Sequence, residues 1–156
     1  MKIATSYFYQ IRNFKEWMIP VSTAFSDPDW FRAPEEKEYF YDKRGIVCGL
    51  RYEPLITWLH GKEECPGPQQ CQYFLNKEPC PVQFWTDWRL NNLAQPDKQR
   101  IIQRFEYCAN KFQKEIGFKE EPIIALMVYE APNNPCSERA ALQKFFNCKE
   151  LRYPIC

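Results

Sequence analysis

The run PIIALMV at residues 122–128 constrains the fold more than any other stretch. It carries no charge and no apolar–polar alternation, the pattern of a strand covered on both faces. Two further runs suit the same sheet. Residues 2–9, KIATSYFY, are β-branched and aromatic and read as a buried first strand. Residues 18–24, MIPVSTA, read as a second strand, with Pro20 expected at an edge or near the start because it has no N–H to give. Gln10 to Trp17 between them predicts a short helix.

The clearest helix is predicted over 97–116. Ile101, Phe105, Cys108, Phe112 and Ile116 recur at helical intervals, Ile102 and Ala109 widen the stripe, and Gly117 supplies the stop. Cys108 is then a small buried hydrophobe. Residues 82–93, VQFWTDWRLNNL, have apolar side chains at 84, 85, 88, 90 and 93, again helical spacing. A last helix is expected after the loop APNNP, with Asn134 as N-cap, Pro135 as first residue, and Leu142, Phe145 and Phe146 facing inward. The expectation is one compact α/β domain over 1–156. Its sheet is mainly parallel and Rossmann-like, with helices on both faces and a cysteine-rich metal-binding insertion at 48–81.

At 156 residues and 45% apolar content the chain can bury one core. The net charge is +1, and the basic and acidic groups are spread evenly over both halves, so bulk electrostatic binding to duplex DNA is not expected. No stretch has the length of a membrane span, and polar and charged residues break MKIATSYFYQIRNF too early for a signal peptide. The expected location is the cytoplasm. There, eight cysteines point to metal binding or reactive thiols before disulfides.

Four of them, Cys48, Cys65, Cys71 and Cys80, are spaced C-x16-C-x5-C-x8-C. Zinc sites commonly use a close C-x2-C pair, which is missing here. Irregularly spaced thiolates can instead surround a cubane, and proline after Cys65 and Cys80 also occurs in ferredoxin-type ligand runs. A [4Fe–4S] cluster is therefore set ahead of zinc. His60, the single histidine, is the spare ligand if Cys48 points elsewhere. The bland alternative is unrelated thiols.

The loop after the 122–128 strand is the expected ligand site, since strand ends and helix N-termini face ligands in α/β folds. Cys136, read into the first turn of the last helix, would have a lowered thiol pKa there. Arg139 can bind a phosphate or carboxylate, and Tyr129 and Glu130 can exchange protons. The bland reading buries Cys136 and pairs Arg139 with Glu130 or Glu138. On the long helix, Arg100, Arg104, Tyr107, Lys111 and Lys114 form a basic stripe that can track phosphates, though such stripes are usually solvated faces. Trp30-Phe31 and Tyr39-Phe40-Tyr41 offer either a stacking wall or cover for the core. One histidine excludes H-E-x-x-H, and neither a Walker loop nor G-x-G-x-x-G is present.

The segments KIATSYFYQIRNF, MIPVSTA, GLRYEPL and IIALMVYEAPNNPCSERAALQKFF, in this order, resemble the domain of unknown function 488 family. Its members open with a strand and close with a strand, a Tyr-Glu pair and a Cys-His-Arg motif. Tyr129-Glu130 match the pair, Cys136 the cysteine, and Arg139 the arginine with one residue's displacement. Val128 stands where many members have cysteine, and Ser137-Glu138 replace the histidine. The resemblance implies a compact α/β domain and a link with nucleotides or nucleic acid. Three functions are carried forward: an enzyme acting on nucleotides or nucleic-acid bases at Cys136, Arg139, Glu130 and Tyr129; a non-catalytic module binding nucleic acid or protein through Arg100, Arg104 and Lys111; and a redox sensor built on the metal centre.

Overall fold

The computed structural model describes residues 1–24, 26–28, 31, 50–60, 75–78, 82–93, 98–134 and 137–152. Its centre is a parallel sheet of β1 (Lys2–Tyr7), β2 (Met18–Ser22), β3 (Leu50–Arg51) and β4 (Ile123–Val128), in the spatial order β1-β4-β2-β3. The register runs from Lys2 opposite Ile123 to Tyr7 opposite Val128 on one side of β4, and from Met18 opposite Ile123 to Ser22 opposite Met127 on the other. The apolar run thus lies between two partners. Ile124, Leu126 and Val128 enter one core, and Ala125 and Met127 enter the other, as the two-residue period of a strand requires.

The first core is closed by α-helices: α1 (Glu53–His60), α2 (Val82–Leu93), α3 (Lys98–Ile116) and α4 (Arg139–Phe146). Leu55, Leu59, Leu93, Ile101, Phe105, Phe112, Leu142 and Phe146 all pack there. The buried positions of α3 are those its periodicity predicts, and it ends at Gly117 with φ +89°, a left-handed stop that glycine adopts without strain. Residues 50–60 fall inside the span expected as an insertion, yet they form a sheet strand and a helix with Leu55, Ile56 and Leu59 buried. The second face was expected to carry helices too. Among the described residues it is covered by a 3-10 helix, Phe8–Asn13, together with Phe14, Ala24 and Phe31. This 3-10 helix stands where a short helix over 10–17 was expected. Phe31 meets Phe8 edge-on at 5.0 Å, so this member of the aromatic loop covers core; the other aromatics of that loop lie outside the described residues.

Two local features have physical reasons. Pro20 lies in β2, an interior strand, opposite Ala125. Thr23 N–H points to β4, donating to Met127 O at 3.1 Å, so by alternation Pro20 directs its nitrogen away from β4. On that side β3 is paired only from Val21 onward, and among the described residues no ladder bond is lost. On α2 the buried side chains are Thr86, Arg89 and Leu93, while Phe84 is exposed and packs edge-on against Trp85, which does the same with Trp88. The buried stripe is the polar one.

The outer edge of β1 is also covered. Asn147, at φ 52°, turns the chain out of α4, and the following segment runs beside β1. Thr5 N–H donates to Lys149 O at 3.0 Å and Leu151 N–H to Thr5 O at 2.8 Å. No helix among the described residues is long and apolar enough to cross a membrane.

Candidate functional site

The strands are parallel, so their carboxyl ends share one side of the sheet, where open α/β folds bind ligands. Here those ends carry polar side chains that are almost completely buried: Ser6, Ser22, Thr23, and, from the helices above, Arg89, Ser137, Glu138 and Arg139. Buried polar groups cost stability unless each finds a partner. Following every partner divides the cluster in two.

One part is closed. Arg139 Nε donates to Glu150 Oε1 at 2.8 Å, Nη1 to Ala131 O at 3.2 Å and Nη2 to Glu130 O at 2.6 Å. Glu150 Oε1 also accepts from the Thr5 hydroxyl at 2.7 Å, and Thr5 Oγ1 accepts from Gln143 Nε2 at 2.8 Å. Arg139 is thus committed to the fold. It ties the end of β4 to the segment beside β1 and is not available for a ligand anion; its carboxylate partner is Glu150, neither of those anticipated. The helix also starts at Arg139 and not at Pro135. The loop first turns back, Asn134 N–H donating to Ala131 O at 2.9 Å, and Ser137 Oγ then accepts from Arg139 N–H at 3.0 Å. The helix thus begins three residues after position 136. Cys136 itself lies outside the described residues.

The other part is open. Glu130, just beyond β4, has its Oε2 buried without a hydrogen-bond partner among the described residues. Its carboxyl pKa is raised, first by burial and then by the charge of Glu138, while its own backbone N–H, Arg139 and Arg89 pull the other way. Glu138 is raised by burial, against the opposing pull of Arg89, Thr23 and Arg139. Its Oε1 lies 3.4 Å from the Thr23 hydroxyl, whose shorter contact is to Met127 O at 2.7 Å. Arg89 reaches in from α2, its Nη1 donating to Ser137 O at 3.1 Å, but among the described residues its Nε has no partner, nor has Asn92 Nδ2. An unpaired buried polar group costs about 1–3 kcal/mol, so these three call for an explanation.

Tyr129 is half-exposed, with its hydroxyl donating to Ser26 O at 2.6 Å and its ring 4.8 Å from Phe8, so it lies at the surface beside the cluster. At the far end of β2, Asp27 accepts from the Ser22 hydroxyl and from Arg51 Nη1 at 2.7 Å, a closed arrangement. Arg100, Arg104 and Lys111 lie on the side of α3 away from its buried stripe, with the Arg104 guanidinium 5.4 Å from the Tyr107 ring centre. Burial raises the Cys108 thiol pKa against the pull of Arg104 and Lys111, as suits a core residue. Cys48, Cys65, Cys71 and Cys80 lie outside the described residues, as does the side chain of His60. Among the described residues no group of three or more His, Cys, Asp or Glu could hold a metal ion.

Of the three described residues expected to do chemistry, Tyr129, Glu130 and Arg139, Glu130 is the one in the open part. Arg89, Asn92, Glu138 and Thr23 were not expected there. The signal for Arg89 was its spacing, three residues after Thr86 and four before Leu93, but nothing local marks that stripe as the inner one. Comparison with protein-family models, with curated proteins and with solved structures finds no match.

Proposed function

We propose that this chain is a Rossmann-like protein of the domain of unknown function 488 type that acts in the cytoplasm on a nucleotide or nucleic-acid base. The base would be bound at the carboxyl end of β4, with Glu130 as the proton-exchanging group. The observation that carries this reading is the unpartnered, buried Oε2 of Glu130, on a carboxyl whose pKa is raised by burial and by Glu138. A carboxyl whose pKa is raised exchanges its proton closer to ordinary pH than a free one does, which suits chemistry on a ring nitrogen. In this reading Cys48, Cys65, Cys71 and Cys80 hold a structural [4Fe–4S] cluster, with zinc as the alternative. Four thiolates are the donor set a cubane takes.

A panel of bases, nucleosides and nucleotides tests this. A ligand at about 100 times its Kd should raise the melting temperature by ~5–10 °C. Calorimetry in two buffers of different ionisation enthalpy should then show a proton taken up or released on binding, and none with Glu130→Gln. No thermal shift with any member of the panel sinks the base site. Binding without proton movement sinks the role of Glu130. The non-catalytic alternative would place nucleic acid on Arg100, Arg104 and Lys111, supported by the stacking of Arg104 on exposed Tyr107. It predicts salt-sensitive oligonucleotide binding that Arg104→Glu abolishes.

A further inference from the structure

The hold on Glu130 leads away from the site to the segment beside β1. The Glu130 carboxyl takes a hydrogen bond from the N–H of its own residue, and its Oε2 has no partner among the described residues. Its position therefore follows the main chain at 130–131. One side chain holds both carbonyls of that stretch: Arg139 Nη2 donates to Glu130 O at 2.6 Å and Nη1 to Ala131 O at 3.2 Å. A guanidinium is planar and rigid, so fixing its third nitrogen aims the other two. Glu150 does this, accepting from Arg139 Nε at 2.8 Å.

Glu150 is fixed in turn by β1. Its Oε1 accepts from the Thr5 hydroxyl at 2.7 Å, and the Thr5 backbone bonds to the residues on either side of it, Lys149 and Leu151. Gln143 Nε2 donates to Thr5 Oγ1 at 2.8 Å, which brings α4 into the same frame. Stability alone does not require this choice of partner. The charge of Arg139 acts on both Glu130 and Glu138, yet the carboxylate it pairs with is Glu150. The guanidinium fork is thereby aimed at the Glu130 main chain and not at the Glu130 carboxyl.

Resting on the reading of Glu130 as the proton-exchanging group, we propose that Glu150 is a positioning residue for it: through the Arg139 fork, Glu150 fixes the main chain that carries the Glu130 carboxyl at the end of β4.

Carboxyl-carbon NMR of the ligand-free full chain, following the Glu130 titration, tests this with two variants that separate position from charge. Glu150→Asp keeps the charge and shortens the reach to Arg139 by one methylene. Glu150→Gln loses the charge and keeps the accepting oxygen. In the unmodified chain, burial and Glu138 hold the Glu130 carboxyl above its ordinary range, against its own N–H, Arg139 and Arg89. A released main chain lets the carboxyl reach water, so its midpoint should fall by at least about half a pH unit in Glu150→Asp and by less than ~0.2 in Glu150→Gln. A midpoint unmoved in Glu150→Asp, or moved as far in Glu150→Gln, overturns the positioning role; a merely structural residue would lower stability without this pattern. If Glu150→Asp does not fold, Thr5→Val takes its place, since it removes the hydroxyl that holds Glu150 and should lower the midpoint in the same direction. No shift there overturns the role as well. No ligand is added, so failure of the titration removes the role of Glu150 alone, whereas failure of the panel of bases removes the base site.

Discussion

Two buried arginines, Arg89 and Arg139, sit within the same polar cluster, at 6% and 7% exposure. Arg139 donates from all three nitrogens, to a carboxylate and two carbonyls. Arg89 donates from Nη1 to one carbonyl, and among the described residues its Nε has no partner. Burial is equal, so the difference is in satisfaction. A closed network stabilises the fold and leaves nothing for a ligand. An open one costs stability and keeps donors in reserve. The residue that looked functional from its motif is the closed one, and the open one is on a helix with no motif.

The largest effect should come from breaking the closed network. Arg139→Met removes the charge partner of Glu150 and leaves the carbonyls of Glu130 and Ala131 without their side-chain donor. Urea denaturation should show a loss of about 3 kcal/mol. A loss under about 1 kcal/mol would mean that Arg139 is not a fold clamp, and the contrast with Arg89 would fail.

A smaller effect separates the two regions by pH. Both Glu130 and Glu138 have folded-state pKa values above the ordinary 4.5. The folded chain then holds protons more tightly than the unfolded one. Stability from these groups is complete below pH 4.5 and is lost as pH rises through the higher folded values. Each pKa unit of displacement is worth about 1.4 kcal/mol. Glu138→Gln keeps the shape and cannot ionise, so its stability should fall less than the wild type's between acid and neutral pH. Identical slopes for the two proteins would show that Glu138 is ionised in the fold, and the open region would lose its raised carboxyl.

The elements that frame both regions were legible because their patterns are local. The 122–128 run identified β4 as an interior strand, and the stripe Ile101, Phe105, Cys108 and Phe112 identified the inner face of α3. The site was less legible because its contacts are distant. Arg89 is buried through Ser137, 48 residues on, and its helix carries three aromatics, of which Phe84 faces outward. Apolar spacing identified the helix, and Leu93 of that set is buried, but it did not mark Arg89 as inward-facing. The start of α4 was misplaced for a related reason. Asn134-Pro135 has the chemistry of a cap, but Asn134 N–H bonds back to Ala131 O, and Ser137 and Glu138 go into the buried cluster before the helix begins. Glu130 was singled out because strand ends in parallel sheets are a general place for ligands, a rule that depends on topology and not on neighbours in sequence.

The smallest effect marks where the open region stops. Tyr129 precedes Glu130 but points to the surface, where its hydroxyl donates to Ser26 O and its ring leans on Phe8. Tyr129→Phe keeps the ring and removes one half-exposed hydrogen bond, so stability should change by no more than about 0.5 kcal/mol. The affinity for any base or nucleotide that raises the melting temperature should be unchanged, because the Glu130 oxygen does not depend on that hydroxyl. A clear loss of affinity with stability intact would extend the site outward to the rim of the sheet. Tyr129 would then belong with Glu130 among the groups that touch the ligand.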